Sequence, residues 1–219
     1  AANVAHLTPL APSPDRVILA YHGLDPSAFP APPSRVHREG ETVTLLSVGR
    51  AVEKKGYDTL LQALARLPAD LNWRFRHVGG GELLPRLKGL ATRLGVGDRV
   101  EWSGSMTQPE VLEAMRAADI FVLASRITEA GDRDGLPNVL MEASSQGLAC
   151  LATTVSGIPE LIRTEETGLL VEPENAEALA EALTRLIGDP VLRARLGAGG
   201  QERVRDAFSP ERGLDTLCE

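Results

Sequence analysis

The hydrophobic period of this chain keeps switching, and that most constrains its fold. From residue 42 onward, short apolar runs alternate with segments whose leucines recur at helical spacing. TVTLLSV (42–48), LNWRFRHV (71–78), RVEWSG (99–104), DIFVLAS (119–125), LACLATTV (148–155) and GLLV (168–171) read as strands. Between them Tyr57, Leu60, Leu61, Leu64 and Leu67 mark one helix, and Leu83, Leu87, Leu90 and Leu94 a second. Thr107-Gln-Pro-Glu110 is a capping box with proline in the first turn, opening a third helix through Val111, Leu112 and Met115. Further helices are expected from about Pro137 to Gln146, through Leu179, Leu183, Leu186 and Ile187, after Asp189-Pro190, and at the terminus after Ser209-Pro210.

Strands that are apolar throughout need cover on both faces. Alternating with helices, they predict an α/β chain with a Rossmann-like, doubly wound parallel sheet over about residues 40–200. Seven of the fifteen prolines fall in the first 33 residues, so 1–39 reads as loop and linker, and 201–219 as a terminal helical segment. Ligands of such sheets sit at the carboxyl ends of the strands, near the switch in strand order. The informative loops therefore come after residues 48, 78, 104, 124 and 154.

Composition narrows the ligand. Acidic residues outnumber basic ones 30 to 23, for a net charge of −7, which argues against binding nucleic acid by phosphate neutralisation. Aromatics are 4% of the chain, too few for base-stacking platforms. No apolar run approaches the length of a bilayer span, and no signal peptide is recognisable. Cys150 lies in a strand run and Cys218 beside the last residue, a spacing that suits neither a metal site nor a disulfide framework. A reducing, cytoplasmic compartment fits. The chain opens with AANVAHLTPL rather than Met, so it is expected to be a piece of something longer.

Two common nucleotide motifs fail a direct test. The dinucleotide fingerprint needs Gly-x-Gly-x-x-Gly after a strand. Val48-Gly49-Arg50-Ala51-Val52-Glu53 has one glycine, and Gly79-Gly80-Gly81-Glu82-Leu83-Leu84 has leucine where the third belongs. No Gly-Lys-Ser/Thr occurs, so a Walker A loop is absent.

The first strand leads instead into a turn bracketed by Arg50 and Lys55. Arg as a planar fork and Lys as a point charge can hold a diphosphate. Taken alone, the pair reads first as a solvated turn, because such cations decorate many loops. The chain has only three lysines, however, and Lys54 and Lys55 are adjacent. A second constellation, Asp134-Gly135-Leu136-Pro137-Asn138-Val139-Leu140-Met141-Glu142, runs from a loop into a helix. Pro137 at the first helical position would fix the helix start, whose free amides form an anion site. Gly135 would let a ligand approach the backbone closely. Asp134 and Glu142 flank that helix end, and carboxylates accept hydrogen bonds from sugar hydroxyls. Each carboxylate alone reads equally as helix-dipole complement or solvated side chain.

Together VGRAVEKKGYDTLLQAL, the GGGEL turn, DGLPNVLMEA and VSGIPELI resemble the carboxyl-terminal, donor-binding half of retaining glycosyltransferases of the GT-B fold, family GT4 (group 1). RVILAYHGLDPSAF resembles that family's interdomain segment, so the likeness runs from about Val17 to the end. It implies that 1–39 holds that segment and a remnant of the preceding half, and 40–200 the nucleotide-sugar donor-binding domain. Arg50 and Lys55 match the residues that hold the donor diphosphate. Glu142 matches the second glutamate of the family signature, which binds the nucleotide ribose. The first glutamate falls on Asp134, with the same charge and a shorter side chain, in the position that contacts the sugar. The segment Gly135, Leu136, Pro137, Asn138 and Val139 matches the cradle for phosphates and sugar. Gly49 belongs to the same donor turn, and Met106 is a weaker candidate for contact with the base.

The resemblance implies a UDP- or GDP-sugar donor, no metal and no further cofactor. It also implies a preceding acceptor-binding domain from the same natural chain, through which any contact with the inner face of a membrane would run. His6, His22, His37 and His77 match no catalytic site of that family. The alternatives are a nucleotide-binding module without transferase activity, and a related sugar-nucleotide epimerase or hydrolase.

Overall fold

The computed structural model describes residues 4, 7–13, 16–21, 23–25, 28–32 and 40–209. Each expected apolar run contains a strand: β1 (Val43–Val48), β2 (Trp73–Val78), β3 (Val100–Trp102), β4 (Ile120–Leu123), β5 (Ala149–Thr153) and β6 (Leu169–Val171). The helices are α1 (Tyr57–Leu64), α2 (Leu84–Arg93), α3 (Gln108–Ala117), α4 (Asn138–Ser145), α5 (Ile158–Leu161), α6 (Ala176–Gly188) and α7 (Pro190–Ala207).

The six strands form one parallel sheet in the order β3-β2-β1-β4-β5-β6. The chain runs outward from β1 to β3, then crosses back to lay β4 on the other side of β1. The crevice between the ends of β1 and β4 is therefore the switch point where ligands of such sheets bind.

Alternating side chains explain why both faces are covered. Leu45, Ile120, Val122 and Leu151 point into a core shared with α1, α2 and α6, whereas Leu46, Phe121, Leu123 and Cys150 point into one shared with α3 and α4. Phe121 is fully buried, so Phe121→Ala would cost about 3–5 kcal/mol. Burial pushes the Cys150 thiol up to about 12, which leaves it unreactive near neutrality. Cys218 lies outside the described residues.

Local boundaries obey local chemistry. The capping box at Thr107 and Glu110 forms as the spacing predicts, with Glu110 accepting from the Thr107 amide at 2.7 Å. Asp189 caps α7 through the Leu192 amide at 2.8 Å. The first helix stops at Leu64, short of Leu67, because the residue before Pro68 is disfavoured in helical geometry. Pro137 is the cap of α4 rather than its first helical residue, with extended backbone at ψ 124°. Residue 200 lies inside the continuous helix α7, which packs on α4 and β5. The helix expected after Ser209-Pro210 lies outside the described residues, as do His6, His22 and His37.

Tyr21 and Leu24 of the amino-terminal segment are tied to this domain. The Tyr21 hydroxyl donates to Glu160, the Tyr21 ring lies 4.7 Å from Phe208, and the Leu24 amide donates to the Phe208 carbonyl at 3.0 Å. No described helix is long and apolar enough to cross a membrane.

Candidate functional site at the switch point

The turn after β1 is held by backbone contacts that only small residues allow. The Ala51 amide donates to the Gly80 carbonyl at 2.7 Å, and the Leu83 amide to the Ala51 carbonyl at 3.0 Å. A Cβ on Gly79 would lie 2.1 Å from the Gly49 carbonyl oxygen, and one on Gly81 would lie 2.5 Å from the Ala51 amide. The triple glycine thus serves as a backing plate for the first turn rather than as a phosphate loop of its own. Buried His77 donates from Nε2 to the Gly49 carbonyl at 3.1 Å, packed edge-on against Tyr57. Desolvation pushes its pKa down to about 4, so the ring is neutral at pH 7.

From this turn Arg50 projects into solvent at the sheet edge. Residues Glu53–Lys55 make one 3-10 turn ended by left-handed Gly56, which abuts the Ala124 carbonyl at the end of β4. That approach carries Lys55 across the crevice. Its ammonium lies 2.7 Å from the Asp134 carboxylate, with Lys54 at 3.0 Å from Asp132 and 3.8 Å from Asp134. Ser125 donates to Asp134 at 3.2 Å, and Thr153 donates to the Ser125 carbonyl at 2.5 Å. Asp134 therefore sits in a built cradle and is neither solvated nor reserved for the helix dipole.

Gly135 is exposed, with open space where a Cβ would stand, and its carbonyl accepts from the Gly157 amide at 3.2 Å. Leu136 and Val139 pack on the second core, Pro137 is buried, and Asn138 is exposed at the first turn of α4. Half-buried Glu142 projects from the same helix, and desolvation raises its pKa. No described side chain is paired with its carboxylate. Met106, between β3 and α3, is partly buried against the second core.

The structure thus brings Gly49, Arg50, Lys55, Asp134 and the start of α4 to one edge. The sequence reading missed Ser125, Asp132 and Arg126, and gave Lys54 no role. Adjacent lysines in a lysine-poor chain were a visible signal for Lys54; the partners of Ser125 and Arg126 left none. Chemically, two cations, the backbone amides at the start of α4 and two carboxylates suit an anion joined to hydroxyl-bearing groups. Among the described residues, no group of three or more His, Cys, Asp or Glu is placed to hold a metal ion.

Known proteins resemble this chain over most of its length. The family model for glycosyl transferases group 1 matches residues 33–203. The GDP-mannose-dependent alpha-(1-6)-phosphatidylinositol monomannoside mannosyltransferase of Mycobacterium tuberculosis is 34% identical over 190 residues, 83% of this chain and 49% of that protein. Sucrose-phosphate synthase from Thermosynechococcus elongatus superimposes with a TM-score of 0.83 at 29% identity, covering 99% of this chain and 55% of that one. The C-terminal domain of the group 1 protein LpcC from Francisella tularensis does so with a TM-score of 0.68 at 25% identity, covering 76% and 86%. The chain spans about half the length of the curated relatives it matches. With 33–203 matched by the family model, the chain belongs to the group 1 glycosyltransferases.

Proposed function

We propose that this chain is the carboxyl-terminal, donor-binding half of a GT-B sugar transferase that retains anomeric configuration. It takes a nucleotide-diphosphate sugar and completes its site with an acceptor-binding half. The observation that carries the reading is the meeting of Lys55 and Asp134 across the switch point, beside the start of α4. The chain's span of about half its relatives, and its likeness to a C-terminal domain, support the assignment to one half.

The roles derive from the chemistry. When the sugar departs, negative charge grows on the terminal phosphate of the leaving diphosphate. Arg50, Lys55 and the N–H groups of Gly135, Leu136, Asn138 and Val139 stabilise that charge without needing to reorganise. Lys55 has three N–H donors, so one ammonium can keep Asp134 and still serve a phosphate oxygen. Asp134 accepts from a hydroxyl of the transferred sugar. Glu142 accepts from the ribose hydroxyls, which supply the hydrogen bonds its half-buried carboxylate lacks. Met106 lies toward the base.

Calorimetric titration with UDP, GDP and ADP, then with their sugars, tests this. Weak binding of at least one diphosphate is expected, because half of the enclosing walls belong to the other half. Sugar transfer by this chain alone would overturn the half-enzyme reading, and no binding of any diphosphate would overturn the donor site.

A further inference from the structure

We infer that Arg126 is a positioning residue for the diphosphate grip: by clamping the Glu53–Lys55 turn to the end of β4, it fixes where the Lys55 ammonium stands. The inference rests on the reading of Lys55 as a phosphate ligand.

Arg126 comes directly after Ser125, so it leaves the end of β4 on the far side of the Asp134 cradle. Its amide donates to the Lys54 carbonyl at 2.9 Å, and its Nε to the Glu53 carbonyl at 3.1 Å. Both terminal nitrogens donate to one oxygen of Asp58, at 3.2 Å each, and one lies 3.6 Å from Glu174. A three-residue 3-10 turn without a side-chain cap has little to hold it by itself. Arg126 supplies both missing ties, one to each of two successive carbonyls, and anchors them to the first turn of α1.

The side chain is 15% exposed, so most of its surface is committed to these contacts. Its head faces a cleft of about 360 Å3 that also involves Tyr57, Asp58, Glu82 and Arg86, and whose walls do not include Arg50, Lys55, Asp134 or Glu142. With its guanidinium donors committed to Glu53, Asp58 and Glu174, it acts through Lys55. Adjacent residues at one strand end divide the work: Ser125 holds the anion Asp134, and Arg126 holds the turn carrying its cation. A lysine could not substitute, because one ammonium cannot reproduce the planar fork that spans Glu53 and Asp58.

A double-mutant cycle on the full chain tests the inference, with UDP and GDP as probes and uridine and guanosine as diphosphate-free controls. Arg126→Lys is expected to weaken binding of the diphosphate by about threefold to thirtyfold and leave the nucleoside unchanged. In a Lys55→Met background the same substitution should add no further loss. Equal fractional losses in both backgrounds would overturn the positioning role and leave the Lys55 reading standing. Unchanged diphosphate affinity in Lys55→Met alone would overturn both. Should Arg126→Lys lose its cooperative unfolding transition, Asp58→Asn loosens the same clamp from α1. It is expected to act in the same direction by a smaller factor, and additivity with Lys55→Met would again count against the inference.

Discussion

Lys55 Nζ lies 2.7 Å from Asp134 Oδ2, and through that contact the turn after β1 is joined to the loop after β4. The two side chains are only 12% and 13% exposed. A loop cation reads from sequence as worth little to folding, yet this one neutralises a mostly buried carboxylate. Lys55→Met is therefore expected to lower the unfolding free energy by about 1–3 kcal/mol, less than for a fully buried pair because both groups keep some solvent. Urea denaturation measures it. The same variant should weaken UDP or GDP binding by about tenfold to a hundredfold, the loss of one charge-assisted hydrogen bond, with the nucleoside unaffected. Equal losses for nucleoside and diphosphate would make Lys55 purely structural.

The two carboxylates should give different ligand profiles. Glu142→Gln is expected to weaken bare nucleotide and nucleotide sugar by a similar factor, because both carry the ribose. Asp134→Asn should weaken only the increment that the sugar adds. It also releases Lys55 from its anion, so bare diphosphate binding should stay level or strengthen slightly. The comparison is the difference between two ligands for each variant, measured by calorimetry. Matching profiles for the two variants would refute the division of labour.

Much of this arrangement was legible because it is local. Apolar runs, the Thr107 capping box and Asp189-Pro190 each declare themselves within a few residues, and each forms as read. The meeting of the loops after β1 and β4 was legible too, since every strand of a parallel sheet ends at the same edge. Pairing over distance stayed hidden. Arg126 and Asp58 are 68 residues apart and Lys54 and Asp132 are 78 apart, and no periodicity reports such contacts. The reason for the triple glycine also stayed hidden: it fails the dinucleotide fingerprint in sequence, and only the structure shows that Gly79 and Gly81 are glycine because another backbone lies against them.

Buried His77 makes stability depend on pH. Its pKa is pushed down to about 4 in the folded chain, against about 6.5 when unfolded, by loss of solvent. Between those values the unfolded chain binds the proton and the folded chain does not. Stability should therefore fall as pH drops from about 6.5 to 4, by up to about 1.4 kcal/mol per unit. Glu142 opposes this in part: its raised pKa lets the folded chain take up a proton first as pH falls. In His77→Gln, denaturation midpoints measured across this range should lose the His77 slope, leaving a flatter curve. An unchanged slope would mean that another group titrates.

Two glycines at the site should differ in what alanine does to stability. Gly56 has φ +60°, and a Cβ there would stand 1.9 Å from the Ala124 carbonyl oxygen, backbone that cannot swing aside. Gly56→Ala should cost at least about 2 kcal/mol of stability, combining left-handed strain with displacement of the turn from β4. Because that turn carries Lys55, diphosphate binding should fall with it. Gly135 has no positive φ, and a Cβ there would meet nothing within 4 Å. The folded chain therefore has no need of glycine at that position, and Gly135→Ala should leave the denaturation midpoint within about 0.5 kcal/mol of the parent. If the amides from Gly135 onward cradle the phosphates, the added methyl stands where the ligand approaches. UDP or GDP binding should then weaken while stability does not. A Gly135→Ala variant that binds both diphosphates as the parent does would move the cradle elsewhere along the edge.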